Sequence, residues 1–305
     1  YNMDKIIAVV VTYNRLNCLK RVIESLKNQT KQLDRILVVN NGSTDGTAEY
    51  LNTLEDIQVV TQENIGGSGG FWRGIKEASN FESDWIWCMD DDVYPRKDCL
   101  EKLLIANEKN VGILCPRRIQ NNRVFYSECK KINLSNPFKG LHLGELSDED
   151  IVQDKPVSIE GMVFEGPLIK QELVKSIGYP QKDLFIFYDD TDYSYRAIEA
   201  GYKVLYVPVA IMDKEYFAKD ITRETLVNSQ RWKLWYHIRN TSFFVKKHGK
   251  NPFFRHFGAL GFPSYMIFAI LVNLVRNNKY EFSDLKKLFK AYTNGKKGVL
   301  GKISF

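Results

Sequence analysis

The sequence predicts an α/β fold: a mostly parallel sheet flanked by helices, followed by a C-terminal helical extension. Three observations carry that prediction. Apolar runs such as Ile6-Ile7-Ala8-Val9-Val10-Val11 and Trp85-Ile86-Trp87-Cys88-Met89 have strand length and no polar alternation, as in strands buried on both faces. Segments with helical spacing, such as Leu16, Leu19, Val22, Ile23 and Leu26, separate these runs. Charge is also split along the chain. Residues 214–305 hold 18 Lys/Arg against 5 Asp/Glu, and residues 1–213 hold 25 against 32, so a net charge of +6 conceals +13 and −7.

On that basis residues 1–213 form one α/β domain and residues 214–305 a basic helical region. The first strand ends at Thr12-Tyr13-Asn14-Arg15, where a helix begins. A second strand, Arg35 to Val39, runs into Asn40-Asn41-Gly42-Ser43-Thr44-Asp45-Gly46, followed by a helix to about Leu54 and a third strand, Ile57 to Val60. Asn64-Ile65-Gly66-Gly67-Ser68-Gly69-Gly70 reads as a glycine-rich loop leading into a helix with Phe71, Trp72 and Arg73. The next strand ends in Asp90-Asp91-Asp92, and Pro95 stops it. Asp98 with Glu101 predicts a capping box. Beyond the strand Val111 to Cys115, residues 117–156 read as a polar insertion or hairpin. Residues 157–166 resume strand character, residues 170–177 read as a helix ended by Gly178, Asp189-Asp190-Thr191-Asp192 opens another helix, and Lys203 to Val207 is the last strand.

Composition narrows the class. Hydrophobic residues at 44% and charged residues at 26% are those of an ordinary globular protein. The five cysteines lack metal-ligand spacing, which predicts free thiols in a reducing, cytoplasmic setting. In the extension, Leu226 to His248 reads as a long helix rich in Trp, Tyr, Arg and Lys. Residues 257–275 hold no charge but are flanked by Lys246, Lys247, Lys250, Arg255, Arg276 and Lys279. Three readings stay open for this run: a membrane span, a core helix, or a helix lying in the interface, which the basic flanks favour. An anionic membrane surface is the partner this implies. The uncharged run argues against nucleic acid.

Three adjacent carboxylates at the end of a buried strand repel one another, and a hard divalent cation with oxygen ligands would neutralise them. Glycines at 66, 67, 69 and 70 would let the backbone approach a ligand, and the following helix start with Arg73 favours phosphate oxygens. The run matches neither the dinucleotide fingerprint nor a P-loop. Oxygen ligands beside a phosphate cradle point to a metal-bound nucleotide diphosphate.

Taken together, Thr12-Tyr13-Asn14-Arg15, Asn41-Gly42-Ser43-Thr44-Asp45, Asp90-Asp91-Asp92 and Asp189-Asp190 resemble the inverting family 2 glycosyltransferases over roughly residues 4–213. Gly-Gly-Ser-Gly-Gly-Phe combined with the triple aspartate is similar to the galactofuranosyltransferases, which use UDP-galactofuranose. The resemblance implies a GT-A fold and a UDP-sugar donor. Thr12, Asn14, Arg15, Asn41 and Asp45 would line the nucleotide pocket, and Gly69, Phe71 and Arg73 would border the diphosphate and donor sugar. Asp90 and Asp92 would hold Mn²⁺ or Mg²⁺, with Asp91 near the ribose or donor, and Asp190 would be the general base. A sugar hydroxyl is a poor nucleophile, so a carboxylate must take its proton as it attacks.

One departure stands out. Galactofuranosyltransferases carry a Trp-His pair at the end of a late strand, and that His completes the metal shell. Here the stretch is Ala210-Ile211-Met212-Asp213-Lys214, leaving Asp213, His237 or fewer protein ligands as the alternatives. Asp189, Tyr236, His237 and Arg239 are the acceptor-side candidates, suited to a polyprenyl-diphosphate-linked glycan. The implied setting is the inner face of a bacterial plasma membrane. dTDP-rhamnose is the alternative donor, a non-catalytic nucleotide-sugar-binding protein the alternative class, and homo-oligomerisation stays open.

Overall fold

The chain divides into two compact units, the first comprising residues 1–131, 144–182 and 190–218, the second residues 132–143, 183–189 and 219–305. The computed structural model describes residues 4–125, 128–217, 231–276 and 280–304. The second unit thus includes two segments that a division after residue 213 would leave with the sheet.

In the first unit, β1 (Ile6–Thr12) is fully buried and pairs in parallel with β2 (Arg35–Asn40) and β4 (Trp85–Asp90), and β3 (Ile57–Thr61) continues the parallel set beyond β2. β5 (Val93–Pro95), β6 (Val111–Gln120), β7 (Arg123–Phe125), β10 (Val157–Ser158), β11 (Leu168–Lys170) and β12 (Lys203–Lys214) complete the sheet, whose order is β10-β12-β6-β11-β4-β1-β2-β3. β12 lies parallel to β6, and short β11 runs antiparallel between β4 and β6. β8 (Cys129–Ile132) and β9 (His142–Glu145) form a separate ribbon. The long pairings are parallel, and the antiparallel ones are two or three residues each.

Side-chain alternation on β1 feeds two cores. Ile6, Ala8 and Val10 pack with α1 (Leu16–Lys27) and α4 (Cys99–Ile105), while Ile7, Val9 and Val11 pack with α3 (Gly66–Ala78), α6 (Gln171–Ile177) and α7 (Asp189–Glu199). Between α1 and α3, α2 spans Thr47–Leu51, and α5 spans Asp148–Val152.

Several local expectations change. The glycine run is not a loop: α3 begins at Gly66, and Gly69 and Gly70 lie in its buried first turns. A Cβ on Gly70 would sit 2.5 Å from Val11 Cγ1, and one on Gly74 would overlap Val9 Cγ1, so these glycines let the helix lie directly on β1. Asp98 makes no side-chain cap: its carboxylate pairs with Lys102 at 2.8 Å, and Glu101 instead accepts from Thr30 Oγ1 at 2.8 Å. β6 runs five residues past Cys115 into a hairpin with β7, turned by Asn121 and Asn122 at φ 49° and 60°. Residues 159–167 are irregular rather than strand, and β12 continues past a register shift between Val207 and Ile211 as far as Lys214.

In the second unit, helices Arg231–His248, Gly261–Arg276 and Phe282–Lys297 pack around Trp235, Ile238, Met266, Ile270, Leu288 and Ala291, and a short helix, Pro252–Phe257, lies between the first two in the chain. The expected start of the first helix, 226–230, lies outside the described residues. The uncharged run 257–275 is broken around Gly258, and no described helix is long and apolar enough to cross a membrane.

Gly74→Ala should lower the unfolding free energy by about 1–3 kcal/mol, because a methyl group must be forced between α3 and β1. Exposed Gly67, whose added Cβ would meet nothing within 4 Å, should tolerate alanine or gain up to about 1 kcal/mol. Urea melts of the two variants test this contrast.

Candidate active site

The register that sets Val11 beside Asp90 brings the residues following β1 and β4 together at the carboxyl edge of the sheet. There Thr12 Oγ1 donates to Asp91 Oδ2 at 2.7 Å, and the Tyr13 amide donates to the same oxygen at 3.3 Å. Arg15, at the start of α1, donates through Nη1 to Asp91 Oδ1 at 3.2 Å and to Asp92 Oδ2 at 2.9 Å. From the end of β12, Lys214 Nζ donates to Asp92 Oδ1 at 3.3 Å and to Glu165 Oε1 at 2.8 Å. Glu165 also lies 3.1 Å from Arg118 Nε, and buried Arg118 donates to Glu128 at 2.8 Å.

Asp90 is different. It is half-buried, and no donor reaches its carboxylate among the described residues. Burial first, then Asp92, Glu165 and Asp91, push its carboxyl well above the usual carboxylate range, against the pull of Lys214. Burial likewise raises Asp91 to about 6, although Arg15 and Thr12 oppose it. For Lys214, burial works against the charge, but Glu165 and Asp92 outweigh it and the ammonium is held above its ordinary value. The edge is therefore acidic and short of positive charge at Asp90. A hard divalent cation would satisfy that shortage, so Asp90 and Asp92 fit one as carboxylate ligands. Among the described residues, no group of three His, Cys, Asp or Glu is arranged to hold a metal by itself.

The expected third ligand is elsewhere. Asp213 makes a bidentate pair with Arg96, both bonds at 2.9 Å, because alternation along β12 sends its neighbour Lys214 toward Asp92. Neither Lys214 nor Glu165 was singled out in the sequence. The available signal was a charged residue at the end of an apolar strand, together with Glu165-Gly166.

The nucleotide-side candidates gather at the same edge. Asn14 takes φ 52°, its amide donates to Ser43 Oγ at 3.0 Å, and its Oδ1 accepts from the Thr44 amide at 2.7 Å. Asp45 accepts the Leu16 amide at 2.9 Å, holding the start of α1. Asn41 donates to the Gly66 carbonyl at 3.1 Å, tying β2 to α3. Gly69 and Phe71 are closely packed: a Cβ on Gly69 would overlap Ile65, and Phe71 stacks on Phe164 with ring centroids 4.5 Å apart. Arg73 pairs with Glu77 at 2.8 Å.

Asp190 is half-buried in the first turn of α7, its Oδ1 accepting the Thr191 amide at 2.6 Å. Farther along the helix Arg196 holds Asp192 at 3.0 Å, and Tyr193 lies 6.1 Å from Phe164, which in turn stacks on Phe71. An aromatic column thereby ties α7 to α3.

Of the acceptor-side candidates, Tyr236 and Arg239 make contacts within the second unit. Tyr236 stacks on Phe185 at 4.9 Å, and its hydroxyl accepts the Ile303 amide at 2.8 Å. Arg239 is buried and donates to the Leu184 carbonyl at 2.9 Å; burial brings its pKa down to about 10. Asn240 donates to the carbonyls of Leu184, Ile186 and Phe187 at 2.7–3.0 Å. These bonds hold a turn in which Phe185, Phe187 and Tyr188 take φ of 68–69°, a costly conformation for bulky side chains. Asp189 is buried, and His237 faces a cavity of the second unit.

Residues 7–156 match the family model described as glycosyl transferase family 2. The chain carries a family 2 glycosyltransferase domain. It is similar to galactofuranosyltransferase GlfT1 of Mycolicibacterium smegmatis, 25% identical over 65% of this chain and 67% of that protein. GlfT1 of Mycobacterium tuberculosis is 26% identical, over 65% of this chain and 66% of that protein. Poly-beta-1,6-N-acetyl-D-glucosamine synthase of Staphylococcus aureus is 22% identical, over 68% of this chain and 49% of the synthase. The matches thus span about two thirds of the former and half of the latter. Among solved structures, GalNAc-T7 crystallised with UDP, GalNAc and Mn²⁺ matches with a TM-score of 0.59 at 14% identity, covering 90% of this chain and 58% of that one, a likeness of fold. The enzyme is a glycosyltransferase of GT-A fold.

Lys214→Met should cost about 2–4 kcal/mol, because Asp92 and Glu165 stay largely buried without their shared cation. Adding Glu165→Gln should recover part of the loss. Additive effects in a double-mutant cycle read by urea unfolding would contradict the network.

Proposed function

We propose that this glycosyltransferase moves galactofuranose from UDP-galactofuranose, with inversion, to a hydroxyl of a lipid-linked cell-surface glycan. The observation that carries the reading is Asp90, a carboxylate that no donor reaches among the described residues, beside Asp92 at the edge where Thr12, Arg15 and Lys214 converge. The likeness to two galactofuranosyltransferases supports the choice of sugar.

In this reading Asp90 and Asp92 hold Mn²⁺ or Mg²⁺, which when bound supplies positive charge to the leaving diphosphate. Arg15 orients Asp91 toward the ribose and adds positive charge to the nucleotide pocket. Asp190 accepts the proton of the acceptor hydroxyl as its oxygen bonds to the anomeric carbon opposite the breaking bond to UDP. One base and one leaving group give inversion.

The likeness to a poly-N-acetylglucosamine synthase favours a second donor, UDP-N-acetylglucosamine. Incubation with Mn²⁺ and each of UDP-galactofuranose, dTDP-rhamnose and UDP-N-acetylglucosamine separates the readings. Turnover of UDP-galactofuranose alone is expected. Turnover of either other donor without it would overturn the sugar assignment, and UDP binding with no turnover would favour a non-catalytic protein. Asp190→Asn should lower transfer about 10²–10⁴-fold with UDP affinity unchanged.

The second unit supports an interfacial setting on the inner leaflet of a bacterial plasma membrane. Phe253, Phe257, Tyr265, Phe268, Phe282 and Phe289 are exposed by 46–72%, near exposed Lys246, Lys247, Lys250, Lys286 and Lys290 in the chain. Tyr265→Ser/Phe268→Ser should weaken co-sedimentation with phosphatidylserine-containing vesicles at least threefold. Equal binding to neutral vesicles would contradict the electrostatic part.

A further inference from the structure

The ammonium of Lys214 serves two acids at once. Nζ donates to Glu165 Oε1 at 2.8 Å and to Asp92 Oδ1 at 3.3 Å, so it is anchored on Glu165 and reaches Asp92 more loosely. The anchor is itself fixed from behind. Glu165 Oε2 lies 3.1 Å from Nε of Arg118, and Arg118 pairs with Glu128 at 2.8 Å, both of them buried. The ring of Phe125 lies near both cations, its centroid 5.4 Å from Lys214 Nζ and 5.6 Å from Arg118 Cζ. Asp92, Lys214, Glu165, Arg118 and Glu128 thus form a chain of alternating charge that runs from the sheet edge into the interior.

A fixed ion pair accounts for the short bond to Glu165 but not for the long one to Asp92. An ammonium and a divalent cation repel each other, so they compete for a single carboxylate. Asp92 engaged by Lys214 is a poorer ligand for a cation than Asp92 alone. A nucleotide diphosphate changes the balance, because its oxygens offer the ammonium another anion. Lys214 can accept that offer: an ammonium carries three donors, and among the described residues two acceptors engage it. Its side chain is 11% exposed and its stem is flexible, so a shift from Asp92 to a phosphate can leave the Glu165 bond in place.

We infer that Lys214 is a positioning residue that couples the cation to the nucleotide. It holds Asp92 against the cation before the donor arrives and moves to the leaving diphosphate when the donor binds. The inference rests on the reading of Asp90 and Asp92 as cation ligands for a nucleotide-diphosphate donor. Coupling of this kind is reciprocal: each ligand raises the affinity for the other.

The test measures the two ligands separately on the full chain. Electron paramagnetic resonance follows Mn²⁺ without nucleotide, and calorimetry follows UDP in EDTA. Glu165→Gln is compared with Lys214→Met/Glu165→Gln, so that neither protein buries a Glu165 carboxylate stripped of its lysine. Removing the ammonium should tighten Mn²⁺ by about threefold or more and weaken UDP by about fivefold or more, because one charge repels the first ligand and attracts the second. These changes have opposite signs, which damage to the fold would not produce. Weakening of both ligands, a change in only one, or no change in either would overturn the inference while UDP binding by the unaltered protein keeps the donor reading. Absence of UDP binding by the unaltered protein, with Mn²⁺ present, would overturn the donor reading and the inference with it.

Discussion

Three carboxylates in a row at the end of a buried strand repel one another, and the parts of the first unit around them are arranged to offset that repulsion. The β1–β4 register supplies the Thr12 hydroxyl and the Tyr13 amide to Asp91. The start of α1 supplies Arg15 to Asp91 and Asp92, and the end of β12 supplies Lys214 to Asp92. The donors come from the end of β1, the start of α1 and the end of β12, so the edge exists only when β1, β4 and β12 are in place. Among the described residues Asp90 is left without a donor, and a half-buried carboxylate beside two other acids gains from a cation brought with a ligand.

The same elements are fixed from the other side by close packing. α3 lies directly on β1 because Gly70 and Gly74 remove the side chains that would hold it away. From α3, the column Phe71–Phe164–Tyr193 reaches the helix that carries Asp190. Glu165, next to Phe164, turns the other way to Lys214, and the Gly166 carbonyl accepts from Trp87 Nε1 at 2.9 Å. One irregular segment thus joins the acidic edge to the helix of the proposed base. A glycine is needed in it, since at φ +104° a Cβ on Gly166 would overlap Met212.

Much of this was legible in the sequence. The β-branched and aromatic runs located β1, β2 and β4, because strands buried on both faces leave an uninterrupted apolar signature. The turn residues after them, Asn14, Asn41 and Asp45, were recognisable because such residues end strands and cap helices. Lys214 and Glu165 were not, because the choice between Asp213 and Lys214 depends on strand alternation after the register shift in β12. The glycine run read as a loop for a related reason: close helix–strand packing and a flexible turn call for the same residue. Arg239 and Tyr236 read as a ligand-facing cluster because nothing in Phe185-Ile186-Phe187-Tyr188 signals a left-handed turn whose carbonyls need buried donors.

The central claim is that Asp90 and Asp92 form the protein's share of a cation site for a nucleotide diphosphate. Anomalous diffraction from crystals soaked with UDP and Mn²⁺ tests it directly. The account predicts one manganese peak in coordination contact with carboxylate oxygens of Asp90 and Asp92 and with the diphosphate. UDP bound at this edge with Lys214 on its phosphates and no manganese at Asp90 would contradict it.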